Sequence, residues 1–243
     1  MPLFARSFAK VDVRASNIEE VGGRKLAHYP WLKAAGGAEA AIEIGSLPYL
    51  FRRSLSDFPQ SPRFLKPDAM AFADWANWLD DAGPGPFIGL CWRSGQLCGL
   101  RHLQYAPLDA WAAFIKRLPG TPVSLQYDAT ADEVDYLQEQ SGRKIMVPGI
   151  DQKREIDAAA AMMAALDVVL SAPTSVAWIS AAIGVPTFKI LYKDAWTSFG
   201  QSYEPFAPQC ALVTPTVAGD WSESFALASA ELRASLGWIE PLR

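Results

Sequence analysis

The residues with the clearest chemical potential form a small polar turn, Ala172-Pro173-Thr174-Ser175, between an apolar run over 167–171 and an apolar helical stretch over 176–183. Pro173 fixes the backbone, while Thr174 and Ser175 place hydroxyls and N–H groups at a helix N-terminus. Such an end attracts an anion, phosphate above all, because its first N–H groups have no intrahelical acceptor and the peptide dipoles leave partial positive charge there. The same residues also make an ordinary helix cap, and both readings stand. Other apolar runs are followed by further polar groups. Arg93, Ser94, Gly95 and Gln96 follow the run over 87–92, with Arg101 and His102 beyond. Gln126 and Asp128 close the run over 123–127, and Pro148, Gly149, Ile150 and Asp151 follow 144–147. Ser171 ends the run before the turn, and Lys193 and Asp194 follow 187–191. A glycine turn, hydroxyls, a helix N-terminus and the cations Arg93, Arg101 and Lys193 together meet the needs of a diphosphate without metal ligands. Taken singly, each cation also reads as a solvated surface charge. His102 is a candidate general base, against a structural or solvated role.

Several site types are excluded. The sequence has no G-x-G-x-x-G, no P-loop and no G-x-S-x-G nucleophile elbow. Its two histidines, His28 and His102, have no ligand-like spacing to the cysteines, so no metal site and no cofactor are expected. A formal charge of −4 disfavours nucleic acid or an anionic membrane as partner. No apolar run reaches membrane-spanning length, and MPLFARSFAK lacks a signal-peptide core, so a cytoplasmic protein is expected. Three cysteines (Cys91, Cys98 and Cys210) give no disulfide framework and fit a reducing compartment; Cys91, inside an apolar run, is expected buried and inert. Nine tryptophans in 243 residues leave some for a groove or a domain contact beyond ordinary core filling.

The elements that must carry these residues follow from periodicity. Residues 156–165 and 176–183 read as helices and 167–171 and 187–191 as strands, a parallel βαβ unit buried on both faces. Strands are also expected over 87–92, 123–127, 144–147 and 211–214, with helices over 108–118, 131–141 and 223–236. Six strands alternating with helices make an α/β, doubly wound parallel Rossmann-like sheet, whose ligands lie at the carboxyl ends of the strands. Upstream, residues 2–8 have helical spacing, 10–15 and 41–44 read as strands, 16–37 as loop, and Asp68 as the cap of an amphipathic helix over 69–79. Gly83-Pro84-Gly85-Pro86 sets the main boundary, giving a partial N-terminal α/β segment with linker over 1–83 and a complete domain over 84–243. The first segment is too short for a nucleotide fold of ~150 residues, and is expected to be the end of a domain that begins upstream. Its open apolar edge makes homo-oligomerisation an expectation.

IGLCWRSG at 88–95, VSLQYD at 123–128 and the stretch over 156–187 resemble the C-terminal half of bacterial glycosyltransferases of the O-GlcNAc transferase-like kind. These are often linked to tetratricopeptide repeats and are more distantly similar to the lipopolysaccharide heptosyltransferases. PLFARSF at 2–8 and IGSLPYLFRRSLSDFP at 44–59 resemble the last part of the N-terminal domain of the same family. The resemblance implies a GT-B architecture, with two Rossmann-like domains and the active site in the cleft. It implies that the turn at Pro173, Thr174 and Ser175 holds the diphosphate, facing Ser94 and Gly95. Gln126 and the loop over 147–151 would lie near the nucleoside, and no metal would be required. Relatives often carry an acidic residue or His where this chain has Pro173, and His or Asp where it has Trp178.

The leading expectation is transfer of a sugar from a nucleotide-diphosphate donor to a protein or glycan acceptor. Arg93, Ser94, Gly95, Gln126, Pro148, Ile150, Asp151, Ser171, Pro173, Thr174, Ser175 and Lys193 would bind the donor, and Arg101 and His102 would act in catalysis. The alternative is a non-catalytic nucleotide-binding or scaffolding module, supported by Pro173, Trp178 and the short first segment. An unrelated flavodoxin-like or epimerase-like nucleotide fold is a third reading.

Overall fold

The computed structural model describes residues 2–58, 63–95 and 99–237, so Gln96 and Cys98 lie outside the described residues. The chain forms two compact units, Met1–Pro59 and Gln60–Arg243.

The first unit contains α1 (Pro2–Ser7), a hairpin of β1 (Asn17–Val21) and β2 (Arg24–His28), α2 (Pro30–Ala34) and α3 (Leu47–Phe51). The hairpin falls where the sequence reads as loop. Gly22 and Gly23 take φ of +58° and +75°, the left-handed pair that a tight two-residue hairpin turn needs. Its strands, NIEEV and RKLAH, are exposed on both faces and carry little apolar alternation, which hides them from periodicity. Neither 10–15 nor 41–44 is a strand; the first is irregular, and Ile44–Ser46 is a short 3-10 turn. Leu3 and Phe58 are the buried hydrophobics among the described residues of this unit.

The second unit opens with α4 (Ala69–Asp80), capped as expected by Asp68, whose carboxylate accepts from the N–H groups of Met70 and Ala71 at 3.0 Å each. There follow β3 (Phe87–Cys91), α5 (Leu108–Ile115), β4 (Thr121–Ser124), α6 (Ala131–Ser141), α7 (Ile156–Ala164), β5 (Val168–Ser171), α8 (Ser175–Ile183), β6 (Thr187–Ile190), β7 (Tyr203–Glu204), β8 (Ala207–Val213) and α9 (Trp221–Leu236). The expected boundary at Gly83 assigns α4 to the first segment, whereas α4 packs on α7 and belongs to the second unit.

The sheet order is β4-β3-β5-β6-β8-β7, with every neighbouring pair parallel except β7–β8. This is the expected α/β sheet with one change of membership. The run over 144–147 makes a single bridge, Val123 to Met146, and the sixth strand is instead the antiparallel edge β7. All residues of β3, β5 and β6 are buried, because helices α4, α7 and α8 form one packed group and α5, α6 and α9 another. Double-sided cover explains why these strands read as unbroken apolar runs. Trp92 and Trp111 are core residues, and Trp111 stacks with Phe114 and Phe225 of α9. A buried ion pair, Lys189 to Glu204, ties β6 to the edge strand, and Lys189 Nζ lies 4.2 Å from the Trp178 ring. Among the described residues no helix is long and apolar enough to cross a membrane.

Candidate functional site

After β3 the chain turns to β4 on one side, then reaches β5 on the other. Loops leaving β3 and β5 therefore diverge, and this is where an open α/β sheet forms its crevice. The register pairs Cys91 with Ser171, and Ala172 N–H donates to Cys91 O at 2.7 Å, so the two loops start side by side. A cavity of about 440 Å³ opens there. Ser94, Gly95 and Tyr127 line it on one side, and Thr174, Ser175, Val176 and Ile179 line it at the start of α8. Gln152, Lys153, Ile156, Ala159 and Met163 complete the wall.

The turn before α8 is a true cap. Thr174 is extended (φ −124°, ψ 177°), and its Oγ1 accepts from Val176 N–H at 3.3 Å. Ser171 Oγ donates to Ala172 O at 2.7 Å and lies 3.2 Å from Thr174 Oγ1. Ser171 is fully buried and serves this hydroxyl cluster, so it does not reach the cavity as a donor ligand. Ser175 is exposed, and its side chain lines the cavity at the first helical position.

The expected cations do not gather here. Arg93 uses its whole guanidinium internally. Nε and an Nη donate to the two carboxylate oxygens of Glu133 at 2.5 and 2.6 Å. The remaining N–H groups reach Asp128 Oδ1, Asp128 O and Ser94 O. Hydrogen bonding to Glu133 raises the Arg93 pKa further against the opposing effect of burial. Burial pushes the Glu133 carboxyl up, but the Arg93 hydrogen bonds, the Thr130 N–H and the Arg93 charge outweigh it and hold it below its ordinary value. Arg93 is thus a brace, and its charge is already matched. Lys193 is exposed and lines a second cavity of about 350 Å³ with Pro173, Trp178, Lys189 and Trp196. Arg101 and His102 lie on a 3-10 turn, Gly99–Gln104, where His102 Nδ1 is 2.7 Å from Gly99 O; neither lines the cavity.

Gln126 is also used inside the protein. Its Oε1 accepts from the N–H groups of Trp92 and Arg93 at 3.0 Å each, and its Nε2 donates to Arg93 O and Asp128 Oδ1 at 2.9 and 2.8 Å. With four bonds its amide is saturated, so it shapes the loop after β3, and it does not line the cavity. Pro148, Ile150 and Asp151 do not line the cavity; Asp151 Oδ1 accepts from the N–H groups of Lys153 and Arg154 at 3.1 Å, and so sets up the turn that presents Gln152 and Lys153.

Sequence reasoning missed Tyr127, Gln152, Lys153 and the apolar wall on α7. Tyr127 OH accepts from Gly95 N–H at 2.7 Å and lies 3.3 Å from Ser94 Oγ, which holds the Ser94–Gly95 turn against the cavity. Its position one residue after Gln126 was the available signal. No cluster of three or more His, Cys, Asp or Glu that could hold a metal occurs among the described residues.

No family model matches the chain. Protein FlbA of Caulobacter vibrioides is 31% identical over 234 residues, covering 96% of this chain and 39% of FlbA. The chain therefore spans about two fifths of the length of that relative. Among solved structures, a glycosyl transferase family 9 protein from Veillonella parvula superposes with a TM-score of 0.54 at 14% identity, over 72% of this chain and 54% of that one. The E. coli ADP-heptose lps heptosyltransferase II gives a TM-score of 0.51 at 16% identity, over 76% of this chain and 59% of that one. The expected link to O-GlcNAc transferase-like, repeat-bearing enzymes is not among these matches, whereas the heptosyltransferase likeness is. At these identities the likeness is one of fold: the mostly parallel six-stranded sheet flanked by helices is that of these GT-B-like glycosyltransferases.

Proposed function

We propose that the second unit binds the nucleoside diphosphate of a sugar donor in the 440 Å³ cavity, and that the protein works in glycosyl transfer to a protein or glycan acceptor. The observation that carries this reading is the exposed start of α8, with Ser175 opening into a cavity at the sheet's switch point. A diphosphate there would meet the positive end of a nine-residue helix and the Ser94–Gly95 turn across from it. Among the described residues, Lys153 supplies the one cationic side chain in the lining. Ile156, Ala159, Met163 and Ile179 offer the apolar surface a nucleoside packs on. The fold likeness to glycosyltransferases supports the same reading by analogy alone.

The placement of the cations favours a second reading, a nucleotide-binding module without turnover. Arg93 is consumed by Glu133 and Asp128, and Lys193, Arg101 and His102 lie off the cavity. Calorimetric titration with UDP, CDP, ADP and GDP tests the shared part of both readings. Binding of one of them is expected, and binding of none removes both. Turnover of the corresponding nucleotide sugar then separates them.

A further inference from the structure

We propose that the cavity on the other flank of α8 is a sugar-binding site, in which Trp178 and Trp196 receive the C–H face of a pyranose ring. This cavity, of about 350 Å³, is lined by Pro173, Trp178, Lys193, Asp194 and Trp196 among others. It shares the turn before α8 with the first cavity: Pro173 lines one, while Thr174 and Ser175 line the other. The helix divides them further. Successive helical residues are about 100° apart, so Ile179 lines the first cavity and Trp178 the second.

Both indoles are presented by fixed structure. Trp178 packs on the buried cluster of Ala177, Ala181, Ala207 and Cys210. Lys189 Nζ, held by its ion pair with Glu204, lies 4.2 Å from the Trp178 ring. Trp196 is 83% exposed, yet the turn that carries it is anchored. Thr197 donates to the buried Glu204 at 2.9 Å, and Ser198 donates to Ala195 O at 2.7 Å. A large apolar side chain left in water on an anchored turn is a preorganised binding surface. An indole face is electronegative, and it attracts the weakly positive C–H groups on one face of a pyranose. Hydroxyls ring the edge of such a sugar, and each donates and accepts. Lys193 brings N–H donors and Asp194 carboxylate acceptors to the cavity, and both are exposed. A flat base would use the indoles but carries no ring of hydroxyls for these groups. Two sources share the sugar chemistry: the sugar of a donor whose diphosphate lies at the shared turn, and an acceptor glycan. The first source rests on the nucleotide reading above; the sugar site itself does not.

The experiment is saturation-transfer NMR on wild type and Trp196→Ala. The probes are the methyl glycosides of glucose, galactose, mannose and N-acetylglucosamine, with uridine and adenosine beside them. Trp196 stands mostly in solvent, so the variant is expected to fold. At least one glycoside is expected to bind wild type, with saturation strongest on the protons of one ring face, and to lose about tenfold in affinity in Trp196→Ala. Trp196→Tyr, which keeps an aromatic face, is expected to retain most of that affinity. Binding of no glycoside overturns the inference, as does equal affinity in wild type and Trp196→Ala, or a loss in the variant for a nucleoside alone. Calorimetry with UDP, GDP, UDP-glucose, UDP-galactose, UDP-N-acetylglucosamine and GDP-mannose then separates the two sources. A nucleotide sugar that binds more tightly than its own nucleotide, with the gain lost in Trp196→Ala, assigns the site to the donor. A glycoside that binds wild type already saturated with nucleotide, without such a gain, assigns it to an acceptor glycan. Glycoside binding without any nucleotide binding removes the nucleotide reading and leaves the sugar site standing.

Discussion

Arg93 and Glu133 form a two-pronged ion pair, Nε to Oε1 at 2.5 Å and Nη to Oε2 at 2.6 Å, with both side chains largely buried. The pair ties the loop after β3 to the first turn of α6, where Glu133 also completes a capping box with Thr130. Glu133→Gln is expected to cost about 2–3 kcal/mol, because it leaves a largely buried guanidinium short of charge. Because the folded state holds Glu133 below its ordinary pKa, its contribution is complete above the unfolded value of about 4.3 and fades as the pH falls through the lower folded value. Urea denaturation of wild type and variant across the acid range should show the variant with the flatter pH dependence.

Gln126 holds the same loop from beneath. Gln126→Leu removes four bonds and strands the N–H groups of Trp92 and Arg93. A loss of about 2–4 kcal/mol is expected in chemical unfolding. A cost within experimental error would show that the loop does not depend on this amide.

The α/β sheet was legible because its strands are covered on both faces, so Val168, Val169 and Leu170 or Phe87, Ile88 and Leu90 appear as unbroken apolar runs. The caps at Asp68 and Thr174 were legible for a local reason, each being a side chain that bonds an N–H two or three residues on. The hairpin over 17–28 was not, because its exposed strands carry no apolar period. Ser94, Gly95, Thr174 and Ser175, singled out by their place after strands, line the cavity. Arg93 was misjudged because its partner Glu133 is forty residues away in sequence, and no local pattern shows that its charge is already matched. Gln152 belongs to no motif, and only the packed structure brings it to the cavity wall.

Gly95 has a steric role. A Cβ there would collide with the Asp128 carboxylate and come within 3.1 Å of the Tyr127 ring. Asp128 cannot give way easily, being held by Arg93 and Gln126. Gly95→Ala is therefore expected to displace the Ser94–Gly95 turn and weaken nucleotide binding about tenfold, with a stability loss of only about 1 kcal/mol. Titration and thermal melting together check this.

Burial pushes the Cys91 thiol up to about 11 and the Cys210 thiol up to about 12. Both should resist alkylation at pH 8 in the folded protein and react once it is unfolded. Because these pKa values are raised, the stability they confer is complete below the ordinary thiol value of about 8.5 and is lost as the pH rises toward the folded values. Counting modified thiols by mass spectrometry with and without denaturant is the check.

The central claim, an anion at the start of α8, is tested most directly by Ser175→Asp. A carboxylate in the first turn favours the helix through its dipole, so the variant should melt at or above the wild-type temperature. It would also place negative charge where the diphosphate sits. Calorimetric titration with the nucleotide that wild type binds is expected to show at least a tenfold loss of affinity in the folded variant. Unchanged affinity in that variant would contradict the account, and would put the ligand elsewhere than at the start of α8.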